Sequence, residues 1–301
     1  PQEEEVLVKV LSAGVGYVDS LMVQGLYQVK PPLPYYPGSE FAGEVIQIGG
    51  AVNNVKSGDL VMGMWRGAYT DHMTVPSSEC TVIPDSLSVE VAGGFYTNYS
   101  TALFGLRDCG NLEAGENVLI LGASGGVGSS AITVAKAMGA NVIAGASSPE
   151  KLELASSAGA DETILYSKEG WRTELKALLG NESLTMVYDP VGGDLAEPAF
   201  RSLAPGGRFL VVGFASGTIP SIPLNLALLK QSSIVGVDWG GAMRSDPSLT
   251  PTLQKTLLDW IDSGRLNPAK VSTRPLSEIR EALSDQISGK VIGKLVLEGN
   301  K

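Results

Sequence analysis

The sequence predicts an α/β fold built on a doubly wound parallel sheet, preceded by a compact β-rich region. Three observations carry this. Near-continuous apolar strands alternate with helices from about residue 97 to residue 237. A glycine-rich loop joins the first of these strands directly to a helix. The first 94 residues instead hold short β-branched runs broken by Gly and Pro.

In the β-rich region, Val6–Val10, Phe41–Ile48, Asp59–Gly63 and His72–Val75 read as strands. Thr97–Asp108 is apolar at helical spacing. Asn117–Leu121 is then an apolar strand, Gly128–Met138 a helix of small residues, Asn141–Ala146 a strand and Pro149–Ala158 a helix. Glu162–Leu165 follows as a strand and Trp171–Leu179 as a helix. Thr185–Tyr188, Arg208–Val212 and Ser233–Val237 are three further strands. From about Gly240 the pattern is mixed, with helices over Thr250–Asp262 and Pro275–Ile287 and a last strand, Lys294–Glu298. The chain shows no internal repeat and no low-complexity tract.

Composition excludes several classes of function. Of 301 residues, 44% are apolar and 18% charged, enough for packed cores and contrary to disorder. Acidic residues outnumber basic ones 32 to 22 and are spread along the chain, so no basic face is expected for nucleic acid. No apolar run approaches the roughly 20 residues of a membrane span. The opening Pro1-Gln2-Glu3-Glu4-Glu5 does not read as a signal peptide. Cys80 and Cys109 are the only cysteines; they build no disulfide framework, and a reducing cytoplasm fits them, although one bridge stays open. The single histidine, His72, is decisive for metals. A catalytic zinc needs three protein ligands and a structural zinc four, mostly Cys or His, so two cysteines and one histidine do not supply both. An all-carboxylate site stays open but nothing in the sequence marks one, and no metal site is expected.

Strand Asn117–Leu121 runs straight into Gly122-Ala123-Ser124-Gly125-Gly126-Val127-Gly128, and a helix follows at once. This order is the context that a dinucleotide fingerprint requires: glycines let the backbone approach a pyrophosphate, and the helix N-terminus faces its charge. Cofactor choice is read about 20 residues further on, where an NAD site places Asp or Glu on the ribose 2′-hydroxyl. Here the strand ends in Ala144-Gly145-Ala146-Ser147-Ser148-Pro149-Glu150-Lys151, with no acid at that point. Ser147 and Lys151 suit a 2′-phosphate, one by hydroxyl and one by charge. Ser148 before Pro149 also reads as a plain helix N-cap with Lys151 in solvent, and both readings hold together. The expected cofactor is NADPH, with Glu150 turned to solvent.

Motifs spread over nearly the whole chain resemble the zinc-free quinone oxidoreductase (zeta-crystallin-like) branch of the medium-chain dehydrogenase/reductase superfamily. They are Gly25-Leu26-Tyr27, Pro37-Gly38-Ser39-Glu40-Phe41-Ala42-Gly43, Gly58-Asp59, Ala123–Gly128, Ser147–Lys151, Gly159-Ala160, Asp189-Pro190-Val191-Gly192-Gly193, Gly206-Gly207, Gly213-Phe214 and Gly293–Leu297. The resemblance implies a GroES-like β-rich catalytic domain from residues 1–96 and 240–301, and a Rossmann NADPH-binding domain over 97–239, with the active site in the cleft. It also implies a homodimer, for which the apolar strand Ser233–Val237 at the Rossmann edge is the expected pairing element. Carried over position by position, Thr101 begins the helix facing the nicotinamide half of the cofactor. Gly125, Gly126 and Val127 resemble the pyrophosphate contacts, and Ser147, Lys151 and Tyr166 the surroundings of the adenosine phosphate. Val191, Gly213, Phe214 and Ala215 resemble contacts on the nicotinamide side. Val191 and Gly213 also read as ordinary turn positions, and Tyr166 as a half-buried aromatic without a ligand.

The chain departs from that pattern in two places. Many relatives carry Asn-Phe-x-Asp where this chain reads Gly16-Tyr17-Val18-Asp19, so the polar Asn is lost. Relatives also have strands before the point at which this chain begins, so the β domain is expected to lack an edge. The family chemistry is hydride transfer to an electron-poor acceptor, a quinone or an enone-like alkene or carbonyl. Reduction of an enone needs a proton donor near the substrate, and Tyr27 is the first candidate, although a loop tyrosine packing its ring is equally ordinary. Tyr17 and Asp19 are weaker candidates, the latter also reading as a cap of a short helix through Gln24. Trp65 and Tyr69 read as pocket lining or as plain packing. Two rivals stay open: an enoyl-thioester or 2-haloacrylate-type alkene reductase, and an NADPH-binding structural or regulatory protein with little turnover.

Overall fold

The computed structural model describes residues 1–299. The chain folds as two compact units, one formed by residues 1–97 together with the C-terminal stretch from Lys270, the other by Asn98–Ala269. Asn300 and Lys301, which the sequence assigns to the first domain, lie outside the described residues.

The first unit opens with β1 (Glu5–Val15), α1 (Tyr17–Val23), β2 (Phe41–Ile48), β3 (Leu60–Gly63), β4 (His72–Pro76), β5 (Cys80–Val82) and α2 (Val89–Ala92), before α3 (Tyr96–Leu103) leads out of it. Along β1, Val6, Val8 and Val10 are buried while Leu7 and Lys9 are half-buried, the alternation that a pleated strand imposes. Those valines pack with Phe41, Val45, Val61, Met73 and Val75 in one core.

The second unit continues α3 through a π-helical turn, Phe104–Cys109, and then alternates: β6 (Asn117–Ile120), α4 (Gly126–Ala137), β7 (Asn141–Ala146), α5 (Pro149–Ser157), β8 (Glu162–Leu165), α6 (Trp171–Leu179), β9 (Leu184–Asp189), α7 (Ala196–Ser202), β10 (Arg208–Val211), α8 (Leu224–Lys230) and β11 (Ser233–Gly236). Two helices close it, α9 (Trp239–Ser245) and α10 (Leu249–Asp262). All its strand pairs are parallel, in the order β8-β7-β6-β9-β10-β11. The order reverses between β6 and β9, which is where doubly wound sheets open a crevice at their carboxyl ends.

The chain then returns to the first unit as β12 (Val271–Pro275), α11 (Ile279–Ile287) and β13 (Lys294–Glu298). This completes a seven-stranded sheet of order β12-β13-β1-β2-β3-β5, with β4 pairing β1. The sequence places the return near residue 240; the structure places it at Lys270. Residues 240–269 stay with the second unit for physical reasons. Leu253, Leu257 and Ile261 on α10 are buried, Trp239 packs on Phe104, and the Arg265 guanidinium donates to Ala137 O at 2.6 Å. Ala269 N, the last residue of the unit, donates to the Tyr99 hydroxyl at 2.8 Å. Pro275 ends β12 instead of starting a helix, and α11 begins four residues later after a 3-10 turn.

Candidate functional site

The loop after β6 is shaped by two glycines. Gly122 has φ +56°, and a Cβ there would stand 2.7 Å from Val191 Cγ2. A Cβ at Gly128 would lie 2.2 Å from Gly122 O, so only glycine lets the first turn of α4 sit directly on the loop. Gly125 is the N-cap residue in extended conformation, and no side chain caps the helix. The free first-turn N–H groups of Gly126, Val127 and Gly128 therefore face outward with the positive end of the helix dipole. The loop is anchored by main chain: Leu121 N donates to Tyr188 O and Ala123 N to Gly145 O, both at 3.0 Å.

Ser147, Lys151 and Tyr166 come together beyond the ends of β7 and β8. The Lys151 ammonium donates to Ser147 Oγ at 3.4 Å, and the Tyr166 hydroxyl lies close to the Ser147 side chain. Ser167 Oγ adds a bond to Ser147 O at 3.0 Å. Burial pushes the Tyr166 hydroxyl above its ordinary pKa and the Asp189 charge adds to this, so it stays a neutral donor at physiological pH. The Ser148 hydroxyl does cap α5, accepting from Lys151 N, and Glu150 is exposed.

On the other side of the switch point, Asp189 ends β9 with its carboxylate buried. Its Oδ1 accepts from Val191 N at 2.8 Å and Gly192 N at 2.9 Å, folding the Pro190–Gly192 turn. Burial raises the carboxyl's pKa and the two N–H bonds oppose the rise. The loop after β10 is fastened onto this turn: Gly213 N donates to Asp189 O, Ala215 N to Pro190 O and Ser216 N to Val191 O, at 3.3, 3.1 and 2.9 Å. The Phe214 ring stands over Gly192. Gly125–Val127, Val191 and Gly213–Ala215 thus share one end of the parallel sheet. The role of Asp189 was hidden in the sequence, where only the Asp-Pro-Val-Gly-Gly run marked it.

Thr101, expected to begin a helix, lies instead near the end of α3, which starts at Tyr96, and it is half-buried. Tyr27 lies in the first unit, half-buried in the irregular stretch after α1. That unit also buries a polar cluster that its motifs contain without revealing. The Lys294 ammonium meets Glu40 Oε1 at 2.6 Å, and Glu40 Oε2 accepts from Thr97 N at 3.0 Å. Asp19 does cap α1, accepting from Gly16 N at 3.0 Å, but it is buried and also accepts from Ser39 Oγ at 2.6 Å. The Tyr69 hydroxyl donates to Gly14 O at 3.1 Å and its ring packs against both cores of the unit, so it is a structural residue.

Two domain families match the chain: the alcohol dehydrogenase GroES-like domain over residues 2–102, and the zinc-binding dehydrogenase domain over 126–262. Quinone oxidoreductase-like protein 2 of Bos taurus is 36% identical over 303 residues, covering 98% of this chain and 85% of the relative. Among solved structures, the quinone oxidoreductase of Pseudomonas syringae is 30% identical with a TM-score of 0.86, covering 99% of this chain and 92% of that one. Escherichia coli quinone oxidoreductase, solved in complex with NADPH, has the same coverage at 27% identity and a TM-score of 0.85. With both domains matched and a relative 36% identical covered over 85% of its length, the chain belongs to the quinone oxidoreductase branch of the medium-chain dehydrogenase/reductase superfamily of oxidoreductases.

Proposed function

We infer that this oxidoreductase uses NADPH to reduce a quinone or another electron-poor alkene or carbonyl acceptor, without zinc. The observation that carries the cofactor is the trio of Ser147, Lys151 and Tyr166 at the end of β7, where an NAD site would set an acid. A hydroxyl, an ammonium and a phenol suit a 2′-phosphate. The residues fit the rest of the cofactor too: the uncapped N–H groups of Gly126–Gly128 suit its pyrophosphate, and Val191 with Gly213–Ala215 borders the crevice at the switch point. Bound there, NADPH supplies the hydride. The chain's own residues position and shield it, with Thr101 assigned to the nicotinamide side by family position.

Tyr27 is the proposed proton donor when the acceptor is an enone; a quinone needs none, since water protonates its reduced oxygens. Zinc independence rests on composition, because one histidine and two cysteines do not furnish the ligand sets that zinc dehydrogenases use. The same reading places the protein in the cytoplasm, where its two free thiols stay reduced. It also makes the protein a homodimer, since among the described residues β11 has one edge unpaired, and Leu224, Leu228 and Leu229 of α8 are exposed.

The test is oxidation of NADPH, followed by absorbance, with a benzoquinone, a naphthoquinone, a linear enone and an enoyl thioester, using NADH as control. Turnover with quinone or enone, preferring NADPH, is expected, and Tyr27→Phe should slow the enone reaction alone. Tight NADPH binding with no turnover on any acceptor would refute the catalytic reading.

A further inference from the structure

The first unit carries a cleft of about 430 Å³ that the reading above does not use. One wall is the loop 64–70 between β3 and β4, the other begins at Tyr36, and β4 forms the floor. Main-chain bonds hold the walls together: Gly67 N donates to Gly38 O at 2.9 Å and Tyr69 N to Pro37 O at 3.4 Å. The cleft is therefore built into the fold. Trp65, packed in part against the sheet core, and Tyr36, 66% exposed, give it two aromatic surfaces. Arg66, Thr70, His72 and Thr74 give it polar ones.

Charge singles the cleft out. The chain carries a net charge of −10, yet the Arg66 guanidinium has no ion pair among the described residues. His72 lies opposite Lys9 of β1, and directly opposed residues of antiparallel strands share a face, so a second cation adjoins the floor. The acids nearby are Asp71, next in the chain, and Glu44, which faces Lys9 from β2. An unpaired guanidinium offers a planar fork that a carboxylate matches with two hydrogen bonds. Aromatic walls take the flat face of a ring. The volume falls in the range of small-ligand sites, large enough for one or two fused rings.

We propose that this cleft is a binding site for planar aromatic carboxylates, the ring lying against Trp65 and Tyr36 and the carboxylate on Arg66. It stands independently of the hydride-transfer reading, because it uses none of the residues assigned to the cofactor or to proton donation there.

His72 is the only histidine of the chain, so the protein labelled at histidine Cε1 gives a single imidazole C–H cross-peak, and that peak reports the cleft floor. Titration of the whole protein with 1-naphthoate should move this peak saturably. Uncharged 1-naphthamide, and naphthoate on the Arg66→Gln variant, should each bind about tenfold more weakly or worse, the loss of one charge-assisted pair. Arg66 is exposed, so this variant leaves the fold alone, and an unmoved ligand-free peak would verify it. A peak that stays fixed at millimolar naphthoate overturns the proposal. So does a peak that moves equally with the amide, or equally in the variant.

Discussion

Lys294→Met should be among the most damaging substitutions outside the cofactor loops. Lys294 and Glu40 are 8% and 3% exposed at the side chain and 2.6 Å apart. At an effective dielectric of about 20, their attraction is about 6 kcal/mol. Removing the lysine forfeits that and leaves a carboxylate buried among Gly14, Thr97 and the sheet. Part of the loss is offset, because Thr97 N still donates to Glu40 and methionine fills the lysine's volume. The net cost should be about 3–5 kcal/mol, the range seen when one partner of a buried pair is removed. The double variant Glu40→Gln with Lys294→Met leaves no buried charge and should recover most of this, so the pair shows strong coupling in a double-mutant cycle. Urea unfolding gives the size of the loss, and hydrogen exchange of β1 and β2 amides assigns it to the first unit. A single-variant loss below about 1 kcal/mol, or a double variant as unstable as the single, would refute the reasoning.

Other expectations follow from the same geometry. Lys151→Glu should weaken NADPH at least about tenfold while leaving NADH nearly unchanged, a ratio read from the two KM values; equal losses would remove Lys151 from the phosphate site. Gly128→Ala must push its methyl against Gly122 O, so the Gly122–Gly128 loop opens and cofactor affinity collapses, seen as loss of the NADPH-induced rise in melting temperature. Burial holds the Asp19 carboxyl above its ordinary pKa, so the stability it contributes is complete below the unfolded value and is lost as pH rises through the folded one. Asp19→Asn should therefore gain stability relative to the parent between acid and neutral pH, and parallel pH curves in urea unfolding would contradict this. Leu228→Glu puts a charge on the exposed face of α8 and should turn the proposed dimer into a monomer by sedimentation; a dimer mass unchanged by it would move the interface elsewhere, and a monomeric parent would refute the dimer.

The parts legible in the sequence were those whose signal is local and repeated. Trp171–Leu179 and Lys294–Glu298 fall where the pattern placed them, end to end. The strand–loop–helix–strand run from Asn117 to Ala146 was equally plain, since continuous apolar strands and a glycine loop need no distant partner to be recognised. Short elements were not legible: β5, α2, α7, α8, α9 and β12 have seven residues or fewer, and packing rather than periodicity holds them. The domain boundary was missed for a related reason. The pattern changes at Gly240, but Tyr99, Ala137 and Phe104 are what bind residues 239–269, and each is more than 100 positions away. The Glu40–Lys294 pair spans 254 positions, so its two motifs were visible while their contact was not.

The two halves of the candidate cofactor site differ in how they are made. Around Gly122, Asp189 and Gly213 the shape is set by main-chain bonds: Leu121 to Tyr188, Ala123 to Gly145, Gly213 to Asp189, Ala215 to Pro190. Such a site depends on residues being small, and glycine spacing records it in any sequence that keeps the fold. Around Ser147 the shape is set by side chains from two successive strand ends and α5, with Lys151 and Tyr166 both meeting one serine hydroxyl. Here one residue can change without disturbing the backbone. Cofactor preference should accordingly be separable from cofactor binding. Ser147→Asp would place an acid on the ribose side of β7 and draw the Lys151 ammonium to itself, leaving the Gly126–Gly128 amides untouched. That asymmetry explains why a single missing acid could be read as a preference for NADPH while the glycines alone were silent about it.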